Sequence, residues 1–251
     1  MKADPSRNWF EEGGEAYARY RPVYPDRLAK FLASVSPDNR LALDIGCGNG
    51  QLAIQLANRF EHVIGIDSSV DQIAHAVHHE RVEYRCAPAE YLPMPDRSAS
   101  LIAAAQAAHW FDLPAFFDEV RRICVPSGVL ALISYGVPCL DESELNERFD
   151  HFYREEINPF WPPERKLVDE GYARIGFPFS EFPAPPVSIL LKWNLFELLG
   201  YISTWSAVRR AREEGRQEIL SSFGEEMAKL WGSSDVRRSI CWPINMRIGR
   251  T

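Results

Sequence analysis

Between residues 40 and 135, short apolar runs alternate with stretches whose apolar residues recur at helical spacing. This alternation restricts the possible folds more than any other feature of the chain. Leu41 to Ile45 reads as a buried strand, and in Gln51 to Phe60 the residues Leu52, Leu56 and Phe60 share one helix face. His62 to Ile66 is a second strand, Ser69 to His78 a helix carrying Val70, Ile73 and Val77, and Val82 to Cys86 a third strand. Ser100 to Ala105 is a fourth. Phe116, Phe117, Val120 and Ile123 mark the next helix, Pro126-Ser127-Gly128 ends it with a turn, and Val129 to Ser134 is a fifth strand. Strands alternating with helices imply right-handed crossovers and a mostly parallel α/β sheet covered on both faces. Ligands of such sheets bind beyond the carboxyl ends of the strands, where strand order reverses, so function belongs to the loops after residues 45, 66, 86 and 105.

Outside this stretch the pattern loosens. Residues 8–37 hold an aromatic, Arg-containing approach segment (Tyr17, Tyr20, Arg21, Tyr24) and a helix from Pro25 to Val35. Residues 141–182 hold a helix and the stretch Asn158-Pro-Phe-Trp-Pro-Pro163. Val187 to Trp193 and Ser239 to Ile248 read as strands, separated by a helical region over 195–230. A chain of 251 residues has the length for one α/β domain with a full core, and a second would be cramped. One domain over 1–251 is therefore expected: an N-terminal cap at 8–37, a ligand-binding core at 38–135, an insertion with a sixth strand at 136–237, and a final strand at 238–251.

The net charge of −7 and pI near 5.5 argue against nucleic acid as a partner, because Lys and Arg must supply affinity for phosphates. Arg209, Arg210 and Arg212 read as a solvated helix face. Cys47, Cys86, Cys124, Cys139 and Cys241 form no CxxC pair and match neither a zinc site nor a disulfide framework, which fits a reducing compartment; no metal is expected. Met1 to Asn8 is polar, without the apolar core of a signal peptide. No run of about 20 apolar residues is present to span a bilayer. A cytoplasmic location without membrane partners is expected.

The most informative stretch is Leu43-Asp44-Ile45-Gly46-Cys47-Gly48-Asn49-Gly50, strand into helix. Closely spaced glycines let the backbone turn tightly and approach a ligand. The spacing is G-x-G-x-G, not the G-x-G-x-x-G of a dinucleotide fingerprint, and no GK[ST] ending makes it a P-loop. Asp44, just inside the loop, would repel a phosphate but suits a cation bearing an ammonium and a sulfonium. Asp67 ends the next strand in Ile64-Gly65-Ile66-Asp67-Ser68-Ser69, where an acid can accept both ribose hydroxyls of an adenosine; the alternative is a helix cap. Cys47 reads as a small loop residue, with no basic neighbour to make it reactive.

Asp44 to Gly50 and Gly65 to Ser69 resemble motif I and the following acidic motif of class I S-adenosylmethionine (SAM)-dependent methyltransferases. Ala89-Glu90-Tyr-Leu-Pro-Met-Pro-Asp96 is similar to their adenine-side loop. Gln106-Ala-Ala-His-Trp-Phe-Asp112, Glu119-Val-Arg-Arg122 and Pro126-Ser-Gly128 resemble the small-molecule branch that includes trans-aconitate methyltransferase-like proteins, and Gly200 to Ser206 continues the likeness. The resemblance implies a Rossmann-like fold with a mostly parallel seven-stranded sheet and an inserted substrate lid. It implies SAM as cofactor, S-adenosylhomocysteine as product and a small-molecule acceptor. Asp44 with Gly46, Cys47 and Gly48 would hold the methionine moiety, and Asp67, with Ser68 beside it, the ribose. Ala89 and Glu90 would flank adenine, and Gln106 and Ala107 would line the methyl-donor channel. Pro88 stands where many relatives place an Asp toward the adenine amino group.

Methyl transfer is an in-line displacement that chiefly needs alignment and exclusion of water. A carboxylate acceptor needs no base, whereas a hydroxyl or amine needs help with its proton. His109 follows the fourth strand and is the candidate for that help; its alternative is packing against Trp110. Tyr17 and Arg21 are candidates to close over the cofactor, Arg21 by capturing a carboxylate of cofactor or substrate, while the neighbouring tyrosines equally suit an aromatic staple. Most of Phe160, Trp161, Trp193, Tyr201 and Trp205 should be core, with a minority shaping a cavity. The leading expectation is methylation of a carboxylate or hydroxyl oxygen; a non-catalytic SAM-binding module and an NAD-type oxidoreductase are the alternatives.

Overall fold

In the computed structural model of the chain, residues 20–251 are described. Strands β1 (Leu41–Ile45), β2 (His62–Asp67), β3 (Val82–Cys86), β4 (Ala99–Ala105) and β5 (Cys124–Tyr135) pair in parallel in the order β3-β2-β1-β4-β5. The order reverses between β1 and β4, so that edge is the switch point at which ligands settle. β9 (Arg238–Arg250) lies antiparallel to β5, and β8 (Val187–Trp193) antiparallel to β9. With the two-residue pieces β6 (Cys139–Leu140) and β7 (Ser180–Glu181), one Rossmann-like sheet of nine strands forms among the described residues, seven of them five residues or longer.

Helix α1 (Asp26–Val35) leads into β1, and α2 (Gln51–Ala57), α3 (Val70–Ala74) and α4 (Leu113–Ile123) connect the parallel strands. Alternate residues of each central strand feed opposite faces, as the period of two requires. Ala42, Leu101, Ala103, Val129 and Ala131 pack with Leu28 and Leu32 of α1 and Leu52 and Leu56 of α2. Leu43, Ile45, Ile102, Ala104 and Leu130 pack with Phe116, Val120 and Ile123 of α4. The small side chains of β4 fit a strand covered on both sides.

α3 is half the length its pattern predicts. Val70 and Val77 are exposed, so little of the apolar stripe packs, and a helix with so small a buried face is not sustained further. β5 starts earlier than expected. Cys124 already pairs with Ala99, and Pro126-Ser127-Gly128 is a bulge inside the strand, with Ser127 at φ 63, before pairing resumes at Leu101 and Val129.

Between β5 and β9 the chain builds α5 (Ser143–His151), α6 (Arg165–Asp169), α7 (Leu195–Ser203), α8 (Ser206–Glu213) and α9 (Glu218–Trp231). The single helical region expected over 195–230 is thus three helices. α7 opens with a capping box, Asn194 Oδ1 accepting from Glu197 N–H (3.0 Å) and Glu197 Oε2 from Asn194 N–H (2.8 Å). Phe149, Phe152, Trp205, Phe223, Trp231 and Trp242 are all buried in the core these helices share with the sheet. Among the described residues no helix is long and apolar enough to cross a membrane.

Candidate functional site

The loop after β1 closes over the ends of its neighbours. Gly46 and Cys47 N–H both donate to Ile66 O of β2 (2.7 and 3.1 Å). Gly46 adopts φ 68, and a Cβ there would stand 2.3 Å from the Ala107 Cβ, so only glycine lets the β1 and β4 loops approach this closely. Gly48 N–H donates to Asp67 Oδ2 (2.8 Å) and Ser69 N–H to Asp67 Oδ1 (2.9 Å). Asp67 therefore stitches two loops together. The helix cap is Ser69, whose hydroxyl accepts from Gln72 N–H at the start of α3 (3.3 Å), which replaces the cap reading of Asp67.

These loops wall a cavity of about 450 Å³ at the switch point. It is bordered by Asp44, Gly46, Cys47, Gly48, Asp67, Ser68, Ala89, Glu90, Gln106 and Ala107, the residues sequence reasoning singled out for the cofactor apart from Tyr17 and Arg21. Tyr17 lies outside the described residues. Arg21 stands elsewhere, as described below.

Three carboxylates border this cavity and no Lys or Arg among the described residues does. Asp44 is 1% exposed, and neither of its oxygens has a hydrogen-bond partner. Burial above all, and the charge of Asp67 in addition, push its pKa up to about 7; the Ala53 N–H in the first turn of α2 faces it and opposes the shift without forming a well-aligned bond. Burial also raises the pKa of Asp67, against the Ser69 and Gly48 N–H groups. Burial and then the two carboxylates push the Cys47 thiol well above its usual value, so it is an unreactive loop residue. A buried, unpaired carboxylate is costly, and a cation is what relieves it.

The loop from Ala89 to Asp96 is held from α4. Glu119 Oε2 accepts from Leu92 N–H (2.8 Å), and Arg122 donates to Met94 O (2.7 Å) and Leu92 O (3.0 Å). Glu90 Oε1 accepts from Asp112 N–H (2.8 Å). The Glu119-Val-Arg-Arg122 segment thus has a structural use that its sequence did not disclose. Ala89 N–H makes no hydrogen bond among the described residues and remains a donor at the wall.

At the far end Gln106 stands at φ 55, a left-handed conformation costing a non-glycine residue on the order of 1–2 kcal/mol. Its N–H donates to Ile133 O (2.8 Å) and its Nε2 to Tyr135 O (3.0 Å), which hold it there. Gln106 and Trp110 border both this cavity and a second chamber of about 60 Å³. Arg21, His109, Trp161, Arg165 and Arg209 also border that chamber. Arg21 Nη1 donates to the Tyr135 hydroxyl (3.1 Å), and Tyr135 borders the larger cavity, so a tyrosine links Arg21 to that cavity.

His109 packs against two aromatic rings, those of Trp110 and Tyr172. Its Nδ1 lies 3.0 Å from the Tyr172 hydroxyl, and its ring packs on Trp110 at 4.8 Å between centroids. Burial first, and the Arg165 charge second, push its pKa down to about 3. The Ala108 and His109 N–H groups face the Tyr172 hydroxyl oxygen. Assigned from that network, the hydroxyl hydrogen points at Nδ1 and the imidazole proton sits on Nε2. A group with a pKa this low is neutral near neutral pH, and its ring packs on Trp110, the alternative that the sequence offered.

Residues 43–132 match the family profile described as a methyltransferase domain. A Dictyostelium discoideum protein named as a candidate methyltransferase is 34% identical over 231 residues, covering 90% of this chain and 87% of its own. A solved structure from Anaeromyxobacter dehalogenans, described as a candidate type II methyltransferase, superposes with TM-score 0.86 at 40% identity, over 92% of this chain and 98% of that one. The chain belongs to the class I SAM-dependent methyltransferases. The NAD-type alternative falls with that membership, and the acidic, base-free wall of the larger cavity explains it physically, since a pyrophosphate would face carboxylates. The residues present fit SAM: orphaned Asp44 matches a cationic group, Asp67 retains lone pairs for hydroxyl donors, and the volume is that of a nucleoside-sized ligand.

Tyr135 and Arg165 were missed in the sequence. Tyr135 ends β5, and the rule that strand ends carry sites could have found it; Arg165 lies in the insertion, with no local signal.

Proposed function

We propose that this methyltransferase methylates an oxygen of a small molecule, a carboxylate before a hydroxyl. The carrying observation is the chemistry of the chamber behind Gln106. Of the described side chains that border it, His109 is the one suited to take a proton, and its pKa near 3 leaves it unable to activate an alcohol or deprotonate an ammonium at neutral pH. An acceptor that is already a nucleophile fits such a site, and a carboxylate is one. In the same direction, one relative, 31% identical over 138 residues, is named a malonyl-[acyl-carrier protein] O-methyltransferase.

When bound, the cofactor supplies an electrophilic methyl group on a sulfonium. Asp44 and the backbone of Gly46, Cys47 and Gly48 would hold its methionine part, Asp67 and Ser68 its ribose, and Ala89 N–H and Glu90 its adenine. Gln106 and Ala107 would line the passage of the methyl group. Trp110 and Phe111 would exclude water there, while α6 to α8 form the cover of the acceptor side. Methyl-labelled SAM offered with a panel of short carboxylic and hydroxy acids tests the reading. The expected product is a methyl ester, which alkali releases as labelled methanol. Label on nitrogen or carbon, or SAM binding without transfer to any member, would overturn it.

A further inference from the structure

Two of the five cysteines meet across the sheet, one at each end of the insertion. Cys139 of β6 stands directly opposite Cys241 of β9 in an antiparallel pair, so both side chains leave the same face. Their neighbours show which face it is. Leu140, Ile240 and Trp242, one step along either strand, are buried in the core, whereas Cys139 is exposed and Cys241 half-buried. Leu190, opposite Cys241 on the other edge of β9, is also exposed, at 70%. The two cysteines therefore stand side by side on the outer face of the sheet, and both are free thiols. The register that opposes them is pinned before and after the pair. Gly136 N–H donates to Pro243 O (2.9 Å), and Asp141 N–H donates to Ser239 O (3.2 Å). Ser239 N–H returns a bond to Asp141 Oδ2 (3.1 Å), and Arg238 forms an ion pair with Glu142.

Opposed residues of an antiparallel pair have Cα atoms about 4.5–5.5 Å apart, within the roughly 4.4–6.8 Å that a disulfide spans. We propose that Cys139 and Cys241 form a reversible thiol–disulfide site whose reactant is a low-molecular-weight disulfide such as oxidised glutathione. Cys139, the more exposed, reacts first. Its proton goes to solvent and its thiolate attacks one sulfur of the reagent. A bond to Cys139 Sγ forms, the reagent's own S–S bond breaks, and one glutathione leaves as thiolate. The Cys241 thiolate then attacks Cys139 Sγ and releases the second glutathione. Two protein thiols are oxidised to one disulfide, and one reagent disulfide is reduced to two thiols. The bond closes a loop of about 100 residues, 140–240, which holds α5 to α9 and β8. It fastens the insertion at its base, where only residues 136–138 separate Cys139 from Tyr135 at the cavity wall. Cross-linking so long a loop constrains chiefly the unfolded chain, so oxidation stabilises the fold.

The test incubates the full chain with oxidised glutathione, removes the reagent and compares the product with dithiothreitol-treated protein. Two of the five thiols are lost under denaturing titration, and a non-reducing digest yields the Cys139 and Cys241 peptides joined. The melting temperature rises by roughly 4–16 °C. Dithiothreitol reverses all three changes. Cys139→Ser and Cys241→Ser each abolish the joined peptide and the temperature rise, and Cys86→Ser, at another exposed cysteine, leaves both. Should Cys241→Ser fail to fold, Cys139→Ser, at an exposed position, decides. Glutathione retained on either cysteine without the joined peptide, a joined peptide through any other cysteine, or an unchanged melting temperature in the bridged protein would each overturn the proposal.

Discussion

Asp44 is the residue on which the proposed cofactor site and stability meet. Its pKa of about 7 in the folded protein exceeds the ordinary 3.8, so the fold binds the proton more tightly than the unfolded chain does. Folding stability without ligand therefore falls as pH rises from about 4, and the cost is complete above about 7. A cation bound beside the carboxylate reverses the preference. Affinity for SAM should rise by up to about tenfold per pH unit between pH 5 and 7 and level off above, as calorimetry across that range would show. Asp44→Asn should remove the slope and cost about 100-fold in affinity at pH 8, while raising the unliganded melting temperature there above that of the parent. A flat pH profile in the parent would contradict this account. Asp44 was legible in the sequence because it sits in a local motif whose spacing defines the turn. The protonation state of His109 was not, because burial and Arg165, distant in sequence, decide it.

Among the elements, α7 shows how a helix in the insertion governs the N-terminal segment. Gly200 has no side chain where the Tyr20 ring packs, and a Cβ there would stand 2.6 Å from it. Tyr20 directly precedes Arg21, which donates to Tyr135 at the site and also approaches Thr204 O. Gly200→Ala should push this segment off α7 at a cost of about 1–3 kcal/mol, a fall in melting temperature of roughly 2–12 °C. It should also raise the KM for the acceptor by more than that for SAM, since Arg21 borders the chamber proposed for the acceptor. A larger effect on SAM would place Arg21 on the cofactor instead. The segment Gly200 to Ser206 stood out in the sequence as part of a resemblance. Its reason, room for an aromatic ring contributed from 180 residues away, belongs to packing alone.

Among the described residues one sheet collects loops from five strands at its switch point, so a ligand there binds the folded chain and not the unfolded one. S-adenosylhomocysteine at 100 times its dissociation constant should stabilise the fold by about 2.7 kcal/mol, raising the melting temperature by roughly 5–11 °C in a concentration-dependent way. Thermal scans that show no shift would mean the cavity of about 450 Å³ does not take this ligand. From the amino-acid order alone came the parallel core from Leu41 to Tyr135, the glycine bend and the acids on either side of it, because period-two and period-3.6 patterns and close glycines are local properties. The tertiary structure alone decided the short α3, the bulge at Pro126 to Gly128, the union of Arg21, His109 and Arg165 in one chamber, and the charge states of Asp44 and His109. Burial and juxtaposition are made by contacts between residues far apart along the chain, and no short window of sequence contains both partners.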